Sequence, residues 1–260
     1  MWDPDAYLHF AAERSRPLAD LLARVPLHRP RRVVDLGCGP GHLTAALAGR
    51  WPDARVSGVD VDPAMVARAR ADHPCLPFTQ GDVRDWQPPA DIDLIVCHAV
   101  LQWVPRHEPL LCRWAAALPP GSWLAVQVPG HTDSPAHRAV RAVAGEPRWR
   151  DRLAGAAARR PVPAPAAYAA LLHDAGAHVD AWETTYVHLL PAPGGTPHPV
   201  LSWLEGTGLR PVRAALPEAD WAAFRAGLQR RLARAYPARD GVVYYPFRRV
   251  FLAARAGAAV

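Results

Sequence analysis

The run Val33-Val34-Asp35-Leu36-Gly37-Cys38-Gly39-Pro40-Gly41 limits the fold more than any other stretch of this 260-residue chain. Arg32 to Leu36 is a short run with two β-branched residues, glycines follow, and Leu43 to Arg50 carries Leu and Ala at helical spacing. The order is strand, tight turn, helix. Gly37 permits the turn, Gly39 lets a ligand approach the backbone, and Gly41 allows close entry into the helix. The spacing is G-x-G-x-G, and His42 stands where a dinucleotide fingerprint needs its third glycine. Asp35 at the strand end would repel a pyrophosphate and suits a cationic amino-acid group better.

The same rhythm continues. Ala54 to Val61, Leu76 to Gln80, Asp93 to Cys97 and Ser122 to Val128 read as strands, and Pro63 to Ala71 and Leu110 to Leu118 as helices. Strand and helix alternate through residues 31–128, the pattern of a parallel sheet covered on both faces. Further on, His178 to Leu189 and Val242 to Ala254 read as strands, and Thr132 to Gly145, Ala164 to Ala175, Val200 to Thr207 and Pro217 to Ala235 as helices. The expected fold is α/β: a Rossmann-like, mostly parallel, seven-stranded sheet with helices on both faces and a helical lid. The expected organisation is an N-terminal helical segment over 1–30, broken near Pro17, and a cofactor-binding core over 31–130. Lid insertions follow at 131–160 and 198–236, and 161–190 and 241–256 complete the sheet.

Composition removes several classes. No stretch reaches the roughly 18 apolar residues of a membrane span, and the N-terminus lacks a secretory layout, so a cytoplasmic protein is expected. The net charge of +6 comes wholly from arginine, for there is no lysine, and the arginines cluster only in pairs. That argues against nucleic acid as partner and leaves a surface that tolerates a small anion. Cys38, Cys75, Cys97 and Cys112 are far apart with no C-x-x-C, which favours reduced thiols over a metal site.

Two further acids complete the expected cofactor site. Asp60 ends the second strand, where a carboxylate accepts both hydroxyls of a ribose, with Val61 beside it. Asp82 follows the third strand, where an acid accepts from an adenine amino group while the Val83 backbone lines the ring. Either acid alone is more often a turn or cap residue. Acids at the ends of three successive strands are a rarer coincidence. Trp86 packs near the adenine or pins its own loop.

With these residues in view, the chain resembles the class I S-adenosylmethionine-dependent methyltransferases, and among them the trans-aconitate 2-methyltransferase family. The narrower resemblance lies in YLHFAAERSRP (7–17), DLGCGPG (35–41), PAMVARAR (63–70), DVRDWQP (82–88), LQWVPRH (101–107), LAVQVPG (124–130), TGLRP (207–211) and PFRRVF (246–251). His98 departs from it, since the family is expected to carry a small amide there.

The resemblance implies S-adenosylmethionine as cofactor, held by Asp35, Gly37, Cys38, Gly39, Gly41, Asp60, Val61, Asp82, Val83 and His98. It implies a tricarboxylate substrate, trans-aconitate, that leaves as a monomethyl ester alongside S-adenosylhomocysteine. No catalytic residue and no metal is expected, because a carboxylate is already ionised at pH 7 and needs alignment only. Arginine forks suit such a substrate, and the matched blocks offer Arg14, Arg16, Arg210, Arg248 and Arg249, with Arg249 and Arg210 ranked above Arg248. Among thirty arginines any single one is by default a solvated surface residue. Tyr7, Gln102, Trp103, His131 and Tyr245 are candidate walls and hydrogen-bonding groups, although Trp103 also fits the core and His131 an ordinary loop. The competing readings are a methyltransferase acting on a carrier-bound dicarboxylate or a quinone, a nicotinamide-dependent oxidoreductase, and a non-catalytic regulator that retains the cofactor pocket.

Overall fold

In a computed structural model, which describes residues 11–157, 161–194 and 196–257, the apolar runs pair into one seven-stranded sheet. β1 (Arg32–Leu36) lies between β2 (Arg55–Asp60) and β4 (Leu94–His98), parallel to both. β3 (Phe78–Gln80) joins β2, and β5 (Trp123–Pro129) joins β4, again in parallel. β7 (Val242–Ala256) runs antiparallel to β5, giving the order β3-β2-β1-β4-β5-β7-β6 with β6 (Ala177–Pro191) at the edge. The mostly parallel seven-stranded sheet is the one expected. Every residue of β4 is buried, as a strand covered on both faces requires.

Helices α1 (Ala11–Leu22), α2 (His42–Arg50), α3 (Pro63–Asp72) and α4 (Glu108–Ala117) accompany the parallel strands. The sequence β1-β2-β3 walks one way across the sheet and β4-β5 the other. Right-handed crossovers therefore put α2 and α3 on one face and α4 on the opposite face. The reversal leaves a crevice at the carboxyl ends of β1 and β4, the position at which open α/β sheets bind ligands.

The remaining helices are α5 (Pro135–Ala144), α6 (Arg150–Leu153), α7 (Pro165–Asp174), α8 (Pro199–Glu205), α9 (Arg210–Ala215) and α10 (Glu218–Ala235). By internal contacts the chain divides into two units. One comprises Met1–Pro129, Pro163–Thr184 and Arg249–Val260, and the other Gly130–Val162 and Thr185–Arg248. β6 and β7 each contribute residues to both units. In the second, α5 packs along α10, and the hydroxyl oxygen of Tyr236, just beyond α10, accepts from Ala136 N–H at the start of α5 at 3.1 Å. Among the described residues no helix is long and apolar enough to cross a membrane.

Three local expectations change. Pro17 does not break the N-terminal helix, because α1 continues from Ala11 to Leu22 with Pro17 inside it. Pro17 removes one backbone donor, yet Leu18, Leu21 and Leu22 stay buried, and that packing outweighs the lost bond. The third strand begins at Phe78 and not at Leu76. Pro77 has no N–H to give, its carbonyl accepts from Gly58 N–H, and Leu76 N–H closes a turn onto His73. TGLRP holds a helix start, with Arg210 as the first residue of α9 and Pro211 in its first turn, where a missing donor is harmless.

Candidate functional site

The glycine loop is tied to the strand beside it. The Val59 carbonyl at the end of β2 accepts from both Gly37 N–H (2.7 Å) and Cys38 N–H (3.1 Å). Gly37 has φ +75°, and a Cβ built on it would lie 2.2 Å from Val100 Cγ2, in the segment that follows β4. The loops after β1 and β4 thus meet at the crevice with no room for a side chain. Gly37→Ala is expected to cost about 2–4 kcal/mol through left-handed strain plus overpacking. A lower thermal midpoint, partly restored by adding Val100→Ala, would be the observed result. An unchanged midpoint contradicts this account. Gly39 differs: φ is +56°, but a Cβ there would meet nothing within 4 Å. The backbone at Gly39 borders open space, as an approaching ligand needs.

Asp60 closes the loop from the other side. One carboxylate oxygen accepts Gly39 N–H at 2.8 Å and the other accepts Asp62 N–H at 2.9 Å. Burial pushes its pKa up, against the pull of these bonds. A carboxylate offers about four lone-pair positions, so two remain for a pair of hydroxyls. Val61, next to it, is 58% exposed and presents an apolar face.

Asp35 lies deeper. It is 3% exposed, accepts the Thr44 hydroxyl at 2.7 Å, and its pKa is pushed up to about 7, chiefly by burial and further by the Asp60 charge. Because the folded value exceeds the unfolded one, Asp35 holds a proton in the fold that the unfolded chain has released between about pH 4 and 7. Stability is lost as pH rises across that window, on the order of 4 kcal/mol by pH 7. Asp35→Asn keeps an acceptor for Thr44 and carries no charge. Its thermal midpoint, measured without ligand, should fall less than wild type between pH 5 and 8. Parallel curves would show that Asp35 does not titrate there.

Other predicted cofactor residues are placed differently from one another. The Cys38 side chain is buried in a cluster with Val66, Ala69 and Phe78, and its N–H is held by the Val59 carbonyl. Gly41 caps α2 with φ +85° and no side-chain cap. Asp82 accepts Arg84 through backbone N–H (2.8 Å) and through a guanidinium fork with contacts of 2.5 to 3.0 Å. That arginine holds its pKa low, and any adenine amino group would share the carboxylate with it. The sequence reading missed this competitor. The Val83 side chain is buried, leaving only its backbone to face a ring. Trp86 packs edge-on against Trp114 (6.3 Å, 82°), which supports a loop-pinning role. His98 is the last residue of β4 and not beyond it, 5% exposed, and it pairs with Gln127.

The predicted acceptor residues divide between the units. Tyr7 lies outside the described residues. Arg14 and Arg16 are on α1, and Arg16 is exposed. Gln102 sits in a short 3-10 turn, Leu101–Trp103; its amide donates to the Ala99 carbonyl at 2.6 Å, while its oxygen is buried with no partner among the described residues. Trp103 is half-buried. Arg249 is 2% exposed and donates to Gln127 Oε1 at 3.0 Å. In the second unit His131 lies against Phe247 (ring centroids 3.8 Å apart) and His137. Tyr245 is fully buried between Trp203, Tyr236 and Phe247, which makes it core more than wall. Arg210 is half-buried, and Arg248 donates to the Gly130 carbonyl at 2.8 Å. Successive strand residues point to opposite faces, so Arg248 and Arg249 cannot serve one ligand from one face of β7.

Gln127 is the residue that the sequence reading overlooked. It is fully buried on β5, bonded to Arg249, and its amide nitrogen has no partner among the described residues. A lone amide inside the apolar run WLAVQV is the signal that would have found it. Among the described residues no three His, Cys, Asp or Glu side chains group so as to hold a metal.

The glycine loop borders open space, with the Asp60 carboxylate at the end of β2 and the exposed Val61 beside it. Residues 10–181 match the family described as methyltransferase domain, and the chain belongs to that family. It is 54% identical over 260 residues to the trans-aconitate 2-methyltransferase of Mycobacterium sp. (strain KMS), spanning 99% of this chain and 100% of that one. It is 49% identical over 262 residues to the protein of that name from Mycobacterium tuberculosis (strain ATCC 25177 / H37Ra), spanning 100% and 98%. The chain is a member of the trans-aconitate 2-methyltransferase family. The fold also matches an S-adenosylmethionine dependent methyltransferase from Mesorhizobium loti, with a TM-score of 0.51, 20% identity and 91% and 96% of the two chains covered.

Proposed function

We propose that this enzyme methylates one carboxylate of trans-aconitate with S-adenosylmethionine, giving a monomethyl ester and S-adenosylhomocysteine. The observation that carries the reading is 54% identity across essentially the whole of both chains to a protein of that name. When bound, S-adenosylmethionine supplies a methyl group on a positively charged sulfur. Asp60 binds its ribose through the two lone pairs not used by Gly39 and Asp62, Val61 covers an apolar face, and Gly39 admits the ligand to the backbone. Asp35, raised to about 7 without ligand, ionises beside a cationic partner and gives it a counter-charge.

The acceptor carboxylate attacks as it stands, so the chain need not move a proton. Its task is to align oxygen with methyl carbon and to keep water away. Arg249 fits that task, because its planar fork matches a carboxylate and Gln127 fixes the fork's orientation. The cysteines Cys38, Cys75, Cys97 and Cys112 are all free thiols, which supports a cytoplasmic setting. The test is to incubate the purified enzyme with methyl-labelled S-adenosylmethionine and a panel of acceptors. An alkali-labile label on trans-aconitate is expected. Label found only with a quinone or a carrier protein would sink the acceptor assignment.

A further inference from the structure

We propose that the second unit holds a separate binding site for a small polyanion, a cavity of about 390 Å³ against α10 bounded by Arg148, Arg230, Arg231 and Arg234. None of these arginines lies in one of the sequence blocks that carry the family resemblance, and none is assigned to the cofactor or the acceptor.

The charge balance comes first. Arg231 is paired with Glu146 at 3.2 Å, and Arg148 with Asp220 at 2.7 Å. Asp220 also holds Arg152 at 2.7 Å, so one carboxylate serves two guanidinium groups. Among the described residues Arg230 and Arg234 have no ion-pair partner. They stand one turn apart on α10, where like charges at i and i+4 repel. The negative end of the helix accounts for Arg234, in the last turn, and not for Arg230.

The second observation is Gly227, in the interior of α10 on the cavity lining. Its backbone is not among those with positive φ, and a Cβ would find Val143 Cγ1 at 3.7 Å and Arg230 Nη2 at 4.0 Å, ordinary contact distances. Neither conformation nor crowding demands glycine, and glycine is a poor helix former. What it does is leave the cavity open. The wall is also set in advance: Trp149 is 3% exposed, packs edge-on against Phe224 at 6.0 Å, and carries the Arg148 guanidinium 4.3 Å above its ring.

A cavity of this size accommodates a small metabolite. Arg230 and Arg234 are exposed and reach the cavity beside the Glu146–Arg231 pair, so they are open to an anion carrying two or more charges, and planar forks match carboxylate and phosphate oxygens equally. The site therefore takes a compact anion of either chemistry.

Calorimetric titration of the full-length enzyme at about 0.1 M salt tests this, with pyrophosphate and citrate as separate probes. One equivalent of at least one probe should bind, and the tighter one names the ligand chemistry. Two variants locate the binding. Arg230→Ala/Arg234→Ala removes the free charges, and Gly227→Leu fills the cavity with every charge kept. Each should weaken binding at least about tenfold while the KM for S-adenosylmethionine and the thermal midpoint stay at wild-type values or, for the midpoint, rise. No binding of either probe, or equal affinity in wild type and Gly227→Leu, overturns the proposal, the second outcome placing the anion elsewhere on the enzyme.

Discussion

Replacing Asp60 by alanine raises the KM for S-adenosylmethionine on the order of a hundredfold and leaves the KM for trans-aconitate unchanged. The variant loses two hydrogen bonds to a charged acceptor, each contributing about 1.5–3 kcal/mol, so even the lower values multiply to that factor. It also frees Gly39 and Asp62 N–H, which Asp60 holds at 2.8 and 2.9 Å. Asp60→Asn separates the two effects. The amide keeps one acceptor oxygen but places a donor where the second hydroxyl must give its proton, so cofactor affinity falls while much of the loop tether survives. Equilibrium binding of S-adenosylhomocysteine, which needs no turnover, is the direct measurement. Wild-type affinity in Asp60→Ala would remove Asp60 from the site.

Arg249→Ala lowers kcat/KM for trans-aconitate by roughly two to three orders of magnitude with little change in cofactor affinity, the size of a lost bidentate carboxylate contact. Because Arg249 is 2% exposed, truncation also leaves a void, and activity alone would not separate recognition from damage. Gln127→Glu provides the separation. It sets a carboxylate against the guanidinium that Gln127 now contacts at 3.0 Å, so a charged acceptor replaces a neutral one, and the stronger bond should raise the thermal midpoint. The same change occupies the fork and repels the acceptor, so kcat/KM should fall as steeply as in Arg249→Ala. A stabilised variant with full activity would show that Arg249 serves the fold only.

The sheet was legible because its signals are local. Val33, Val34, Leu94, Ile95 and Val96 announce strands by composition, and the glycine run marks the turn between β1 and α2. The place of Asp60 at the end of β2 was legible for the same reason. What escaped depended on where side chains settle. Nothing near Asp82 in sequence weighs Arg84 against an adenine, although the two are only two residues apart, because a fork closing on its neighbour is a choice of rotamer. Cys38 sits in the motif yet turns into the cluster with Phe78, a residue supplied by another strand. Gln127 and Arg249 meet across an antiparallel pairing that no spacing rule foretells. Pro17 misled through a rule of propensity that buried leucines overrode.

The two adjacent arginines of β7 carry a consequence for how the strand finds its place. A slip of one residue that brings Arg248 to the place of Arg249 opposite Pro129 would still set a guanidinium on that face, so charge at this point does not by itself proofread the alignment. Discrimination falls to the aromatics. In the native register Phe251 stands opposite Gln127 and stacks on Trp182 with centroids 5.0 Å apart and planes 7° from parallel. After a slip Val250 or Leu252 would occupy that place with no ring to offer. That stack is the strand's index mark, and weakening it with Phe251→Leu should populate a misaligned β7 in which the wrong guanidinium faces Gln127.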